Sequence, residues 1–163
     1  MSERYPDERI ETGRVVKAPA DTIFAVLRDP WGHVAIDASG MLQSVEGDVV
    51  AAVGDRFLVH MDRESYGDIP DLKEYDVTVV IEEYEPDRLI TWSIIGRVRP
   101  PIGHRWGYRL EPVDGGTQVT SVLDWSHARD DWKDQFPIVD EDGLKATLGI
   151  LERAARLGYV RGS

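Results

Sequence analysis

A chain of 163 residues, 42% hydrophobic and 30% charged, falls in the range of one folded domain and outside that of a disordered chain. It contains no cysteine, which excludes disulfides, thiolate metal sites and cysteine nucleophiles. Its formal net charge of −11 argues against nucleic acid and anionic membranes as partners, since both are bound through basic surfaces.

Residues 1–11 are polar and acidic and lack the apolar core of a signal peptide. No apolar run approaches the roughly 20 residues of a membrane span. The expectation is a cytoplasmic protein. Residues 9–17 read as a first strand. Ala18-Pro19-Ala20-Asp21 then opens a helix, with Pro19 at the first helical position and Asp21 favouring its positive end. Ile23, Val26 and Leu27 form the apolar stripe of that helix, which should stop at Asp29 because Pro30 follows. Residues 31–36 suit a second short helix. Residues 41–50 and 55–63 read as strands, with Gly54 at the turn between them.

Residues 64–73 carry turn formers and little periodicity, which marks a loop long enough to be functional. From residue 74 the alternation is clear: Tyr75, Val77, Val79 and Ile81 share one face, Asp76, Thr78 and Glu82 the other. Glu85-Pro86-Asp87-Arg88 turns the chain into a strand over 89–98, and a proline loop follows at 99–103. His104, Trp106, Tyr108 and Leu110 then share one parity, opposed by Arg105, Arg109 and Glu111. Val113-Asp114-Gly115-Gly116 is a hairpin turn, and the strand over 117–126 carries Val119, Leu123 and Trp125 on one face. Residues 127–140 are irregular, with Trp132 and Phe136 as anchors. Last comes a long amphipathic helix with Leu144, Leu148, Leu151 and Ala155 on one stripe. Lys145, Glu152, Arg153 and Arg156 take other faces, and Gly158 is placed to end the helix.

Several segments occur together and in order. They are the run from Val16 through Ala18-Pro19-Ala20-Asp21-Thr22-Ile23-Phe24 to Pro30, then Val53-Gly54-Asp55-Arg56-Phe57, Glu85-Pro86-Asp87-Arg88-Leu89, and Glu111-Pro112-Val113-Asp114-Gly115-Gly116-Thr117. In this the sequence resembles the START-like superfamily, in particular its polyketide cyclase/dehydrase and lipid-transport branch. The resemblance implies one ligand-binding domain over residues 1–163 with an α+β, helix-grip fold. A curved antiparallel sheet of about six or seven strands would wrap a long C-terminal helix, with two short helices after the first strand. It also implies a cavity between sheet and helix. The loop at 64–73 and the insert at 127–140 look longer than the branch usually carries.

Strand parity supplies the lining of that cavity independently: Phe57, Val59, Tyr75, Val77, Val79, Trp92, Trp106, Tyr108 and Leu123 from strands, and Leu144, Leu148 and Leu151 from the helix. His104, inward by parity and beside the proline loop, is the candidate acid–base residue, with Tyr108 as its companion and Tyr75 behind them. His60, Tyr84 and Asp124 are expected on outer faces. His33 and Asp37 have a spacing of four that suits two metal ligands on a helix, but nothing nearby completes a shell. No His-Glu-x-x-His, phosphate-binding or dinucleotide pattern occurs, so no metal and no cofactor are expected. Two functions follow: binding of a small hydrophobic molecule (lipid, polyketide or isoprenoid-like), or a cyclase/dehydrase-type enzyme using His104 and Tyr108. A third is a protein-interaction role with a vestigial cavity. The partner is a small hydrophobic ligand, and the chain is a monomer or homodimer.

Overall fold

Local chemistry at turns and helix ends lays down the frame. The computed structural model describes residues 5–62 and 74–159, so the expected loop at 64–73 lies outside the described residues. The first strand, β1 (Arg9–Val16), leads to two short helices, α1 (Ala20–Leu27) and α2 (Pro30–Ile36). Pro19 is the N-cap of α1 rather than its first helical residue: its ψ of 151° is extended, and the helical backbone begins one residue later. The Asp29 side chain caps α2 by accepting from the Trp31 amide at 3.0 Å, with Pro30 as its first residue. The two helices approach so closely at Gly32 that a Cβ there would lie 1.8 Å from the Val26 carbonyl oxygen. Only glycine fits.

Six further strands follow: β2 (Leu42–Glu46), β3 (Arg56–Asp62), β4 (Glu74–Glu85), β5 (Leu89–Ile95), β6 (Arg105–Val113) and β7 (Gly116–Asp124). The expected strand over 41–50 is thus shorter, and residues 47–55 form a loop with Gly54 at φ +90°. Positive φ falls where the turn signals put it, at Asp87 (φ 63°) and Gly115 (φ 87°). A six-residue 3-10 helix (Asp130–Gln135) interrupts the irregular segment before α3 (Glu141–Leu157). Asp140 caps α3 through the Gly143 amide at 2.9 Å, and Gly158 in the left-handed region ends it.

The strands form one seven-stranded antiparallel sheet in the order β1-β7-β6-β5-β4-β3-β2. This is the expected α+β helix grip. Register places inward side chains in rows across the strands. One row runs Ile81, Trp92, Trp106, Leu123, Ile10, and the next runs Tyr84, Ile90, Tyr108, Ser121, Thr12. Tyr84 corrects the expectation of an outer face. A register shift between Ile81 and Glu83 inverts the alternation, so Tyr84 turns inward against Phe24 at 5.5 Å.

Buried side chains divide into two clusters. The larger one packs α1, α2 and most of α3 on the sheet and contains Phe57, Val59, Val77, Val79, Trp92, Tyr108, Leu148 and Leu151. The smaller contains Ile10, Leu123, Trp125, Ala128, Phe136 and Leu144. Trp106 packs against both. Glu152, on a face of α3 other than the apolar stripe, is buried all the same. It is 9% exposed, with Oε1 accepting from Arg14 Nη2 at 2.7 Å and Nε at 3.2 Å, and Oε2 accepting from the Lys17 amide at 3.0 Å. The helical pattern could not show this, because both partners lie on and after β1, more than a hundred residues away.

Two measurements check this packing. Leu148→Ala should cost about 2–5 kcal/mol of unfolding free energy, and Leu148→Asp should abolish the cooperative transition, because it buries an unpaired carboxylate. A Leu148→Asp chain that melts like the unaltered one would put this side chain in solvent. The Arg14 bond and the Lys17 amide hold the Glu152 carboxyl below its usual range. Its stabilisation is therefore complete above the unfolded carboxyl pKa and is lost as pH falls through the lower folded value. Glu152→Gln should lower stability at neutral pH, and the difference from the unaltered chain should close on acidification.

Candidate functional site

The concave face of the sheet meets α2 and α3 at a group of rings. His33, on α2, stands edge-on to Phe57 of β3 at 5.1 Å and to Trp92 of β5 at 4.8 Å, and Trp92 lies 5.9 Å from Tyr108 of β6. Val59, Val77, Val79, Leu148 and Leu151 are buried in the same cluster, and Tyr75 packs on it half-buried. Sequence reasoning treated His33 only as half of a metal pair and missed its place here. The signal was the spacing of α2, which turns His33 and Ile36 to the buried side.

The polar atoms of this group have fixed roles. His33 Nε2 lies 2.8 Å from the Leu27 carbonyl oxygen. A carbonyl can only accept, so Nε2 carries the proton and Nδ1 holds the lone pair. Burial lowers the His33 pKa to about 4 despite that bond and the charge of Asp29, so the ring is neutral at physiological pH. Tyr108 is driven well above the usual phenol range by burial, against the bond to Ser121 that lowers it, with the Asp37 charge adding to the rise. It remains a donor. The concave face thus offers one neutral imidazole and one protonated phenol among apolar walls.

His104, expected beside Tyr108, belongs to the smaller cluster. It is buried, with its ring 5.1 Å from Phe136 and 6.0 Å from Trp106. Leu123 and Leu144 lie in that cluster too, whereas Tyr108 lies in the larger one. Burial lowers the His104 pKa to about 4. Parity rightly turned His104 inward, but the 127–140 segment that folds over it brings Phe136, not Tyr108, against the ring.

His60 points outward as expected, between Asp76 Oδ1 at 2.6 Å and Glu46 Oε2 at 2.8 Å. Two carboxylates can only accept, so both ring nitrogens donate, and these bonds raise its pKa. Asp37 accepts from the Ser39 amide and hydroxyl and from the Leu42 amide, so it shares no ligand geometry with His33. Among the described residues, no group of three or more His, Asp or Glu side chains is placed to hold a metal ion. No described helix is long and apolar enough to cross a membrane. Two surface depressions lie apart from the rings. One, of about 490 Å3, is lined by Lys17–Ala20 and the β6–β7 turn; the other, of about 330 Å3, lies between Ala35 and the end of α3.

Comparison with known proteins agrees with this architecture. The family model described as "Polyketide cyclase / dehydrase and lipid transport" matches residues 7–156, and the chain belongs to that family. A curated relative, "Uncharacterized protein Rv0088" of Mycobacterium tuberculosis, is 29% identical over 160 residues, which is 94% of this chain and 65% of that protein. The chain thus spans 65% of the length of this relative. Among solved structures, protein CV1439 from Chromobacterium violaceum superposes with a TM-score of 0.67 at 16% identity, over 91% of this chain and 96% of that one. The Aha1 dimer from Colwellia psychrerythraea gives a TM-score of 0.62 at 17% identity, over 93% and 98% of the two chains. At these identities the likeness is one of fold.

The histidines should titrate apart. By NMR, His33 and His104 should protonate near pH 4, and His60 above the free-histidine value. Depressed folded pKa values make the two buried rings favour folding above the unfolded pKa. That contribution is lost as pH falls from about 6.5 towards 4, at up to about 1.4 kcal/mol per pH unit for each ring. His60 works in the opposite sense: its stabilisation is complete below the unfolded pKa and is lost as pH rises through its raised one. Titration of His33 near 6.5 would place its ring in solvent.

Proposed function

We propose that this member of the polyketide cyclase/dehydrase and lipid-transport family binds one small apolar molecule, lipid, polyketide or isoprenoid-like, between the concave sheet face and α3. The observation that carries this reading is the ring group His33, Phe57, Trp92 and Tyr108, set against aliphatic walls with few polar atoms: the imidazole, the Trp92 indole N–H and the Tyr108 hydroxyl. Large, stiff aromatic faces give contact area at small entropic cost, and a few polar atoms orient what they hold. Neutral His33 and Tyr108 suit an uncharged ligand, since neither can compensate a buried charge.

A second reading has its own support. Two titratable side chains, His33 and Tyr108, are buried in one cluster, as a cyclase/dehydrase-type site requires. Tyr108 would donate a hydrogen bond to a carbonyl oxygen, and the His33 Nδ1 lone pair would take a proton from the carbon beside it. His33 thus replaces His104 as the partner of Tyr108. Such catalysis depends mainly on folding the substrate in place.

Titration with an environment-sensitive apolar dye should saturate at about one molecule per chain and quench tryptophan emission. Trp92→Ala should weaken the binding. Absence of saturable binding across dyes of several sizes would leave a plain packed core. If the site is catalytic, His33→Gln should cost roughly 10²–10⁴ in rate on a candidate poly-ketone substrate with little change in affinity. A binder would lose affinity alone, on the scale of one hydrogen bond, about 1 kcal/mol.

A further inference from the structure

The smaller cluster contains more unsatisfied nitrogen than a packing core should. Its rings form an unbroken chain: Tyr5 to Trp125 at 5.9 Å, Trp125 to Phe136 at 5.8 Å and stacked within 10°, Phe136 to His104 at 5.1 Å, and His104 to Trp106 at 6.0 Å. Within it, His104 Nδ1, Trp106 Nε1 and Trp125 Nε1 are fully buried and have no hydrogen-bond partner. Buried polar atoms are nearly always paired, so three orphans in one contiguous cluster ask for an explanation. An indole N–H is a donor and nothing else. At least two of the three atoms therefore lack an acceptor.

Two further observations define that acceptor. His104, the ring of this chain that could carry a positive charge, is kept neutral by burial, and the rings against it, Trp106 and Phe136, are uncharged, so a neutral oxygen is a better match than a carboxylate. Trp106 packs against both clusters and stands between Trp92 and Leu123 in one cross-strand row. The orphaned donors therefore adjoin the ring group of the concave face, with Trp106 as the shared wall.

We propose that His104, Trp106 and Trp125 form a second recognition point, beneath residues 127–140 and the start of α3, that takes the neutral carbonyl oxygen of a ligand whose apolar body lies against Trp92. This rests on the apolar-ligand reading above and adds a polarity to it. The carbonyl end points to the smaller cluster and the hydrocarbon end to the larger. The indole N–H groups are then specificity determinants: they discriminate a ketone, ester or amide from a hydrocarbon of the same shape, because only the former pairs them.

The test compares 9-fluorenone with fluorene, planar probes that differ by one carbonyl oxygen, on the full chain labelled with 15N. The chain has five tryptophans, so its indole N–H signals can be assigned from single Trp→Phe variants. Fluorenone should move the Trp106 and Trp125 indole signals downfield and bind about tenfold tighter than fluorene, as one well-made hydrogen bond to a buried donor allows. Trp106→Phe and, separately, His104→Leu should bring the ratio of the two affinities towards one. Should one variant fail to fold, the other and the indole shifts in the unaltered chain still decide. Equal binding of both probes, or unmoved indole signals, overturns the proposal and leaves the apolar-ligand reading standing. Indole protons that show ordered water as their partner, with or without probe, overturn it too. Binding of neither probe, nor of any apolar dye, ends both readings together.

Discussion

Everything in this fold depends on one face of α3 being held against a concave sheet. Leu148 and Leu151 are almost fully buried there, and Ala155 lets the helix sit close. The apolar stripe supplies the driving force, but a stripe alone allows the helix to slide or roll. The bonds from Arg14 and the Lys17 amide to Glu152 fix its position, because two elements far apart in sequence must align for one carboxylate to accept all of them. The cost of burying that carboxylate is offset only in this one register.

The curvature that receives α3 has identifiable sources. The shift between Ile81 and Glu83 breaks the β4 pairing and turns Tyr84 inward, while the β4–β5 and β6–β7 connections are kept short by Asp87 and Gly115. The short helices then close one side of the concavity, tied down by a tyrosine: the Tyr159 hydroxyl, just past α3, donates to Asp29 at 3.1 Å. The N-cap of α2 is thereby joined to the end of α3. His33 is fixed by the same arrangement, since the Leu27 carbonyl that orients its ring lies at the end of α1.

The interior holds two kinds of polar atom. His33 Nε2 has a backbone partner, and Ser121 accompanies the Tyr108 hydroxyl. Nδ1 of His104 and Nε1 of Trp106 and of Trp125 have none. Paired buried groups hold a core in one arrangement, whereas unpaired ones leave a polar cost uncompensated. That contrast separates the larger cluster, which carries the fold and the ring group, from the smaller, which carries the unsatisfied donors.

Much of the frame was legible in the residues. Alternation over 74–83, the two hairpin turns and the α3 stripe depend on local periodicity and on backbone angles that few residue types adopt, so they read directly as strands, turns and a buried helix face. The site was legible only in part. Parity turned Trp92, Trp106, Tyr108 and His104 inward, but it could not say that 127–140 would fold over His104 and separate it from Tyr108. Nor could it foresee that α2 would bring His33 to Trp92, or that Glu152 would be buried against β1. Parity failed at Tyr84, where one bulge reverses the alternation. Sequence by itself determined the inward face of each regular strand and of the α3 stripe, because period and turn chemistry are local; tertiary structure alone decided where a bulge reverses that face and which residues meet, because each such contact joins segments whose spacing along the chain carries no trace of it.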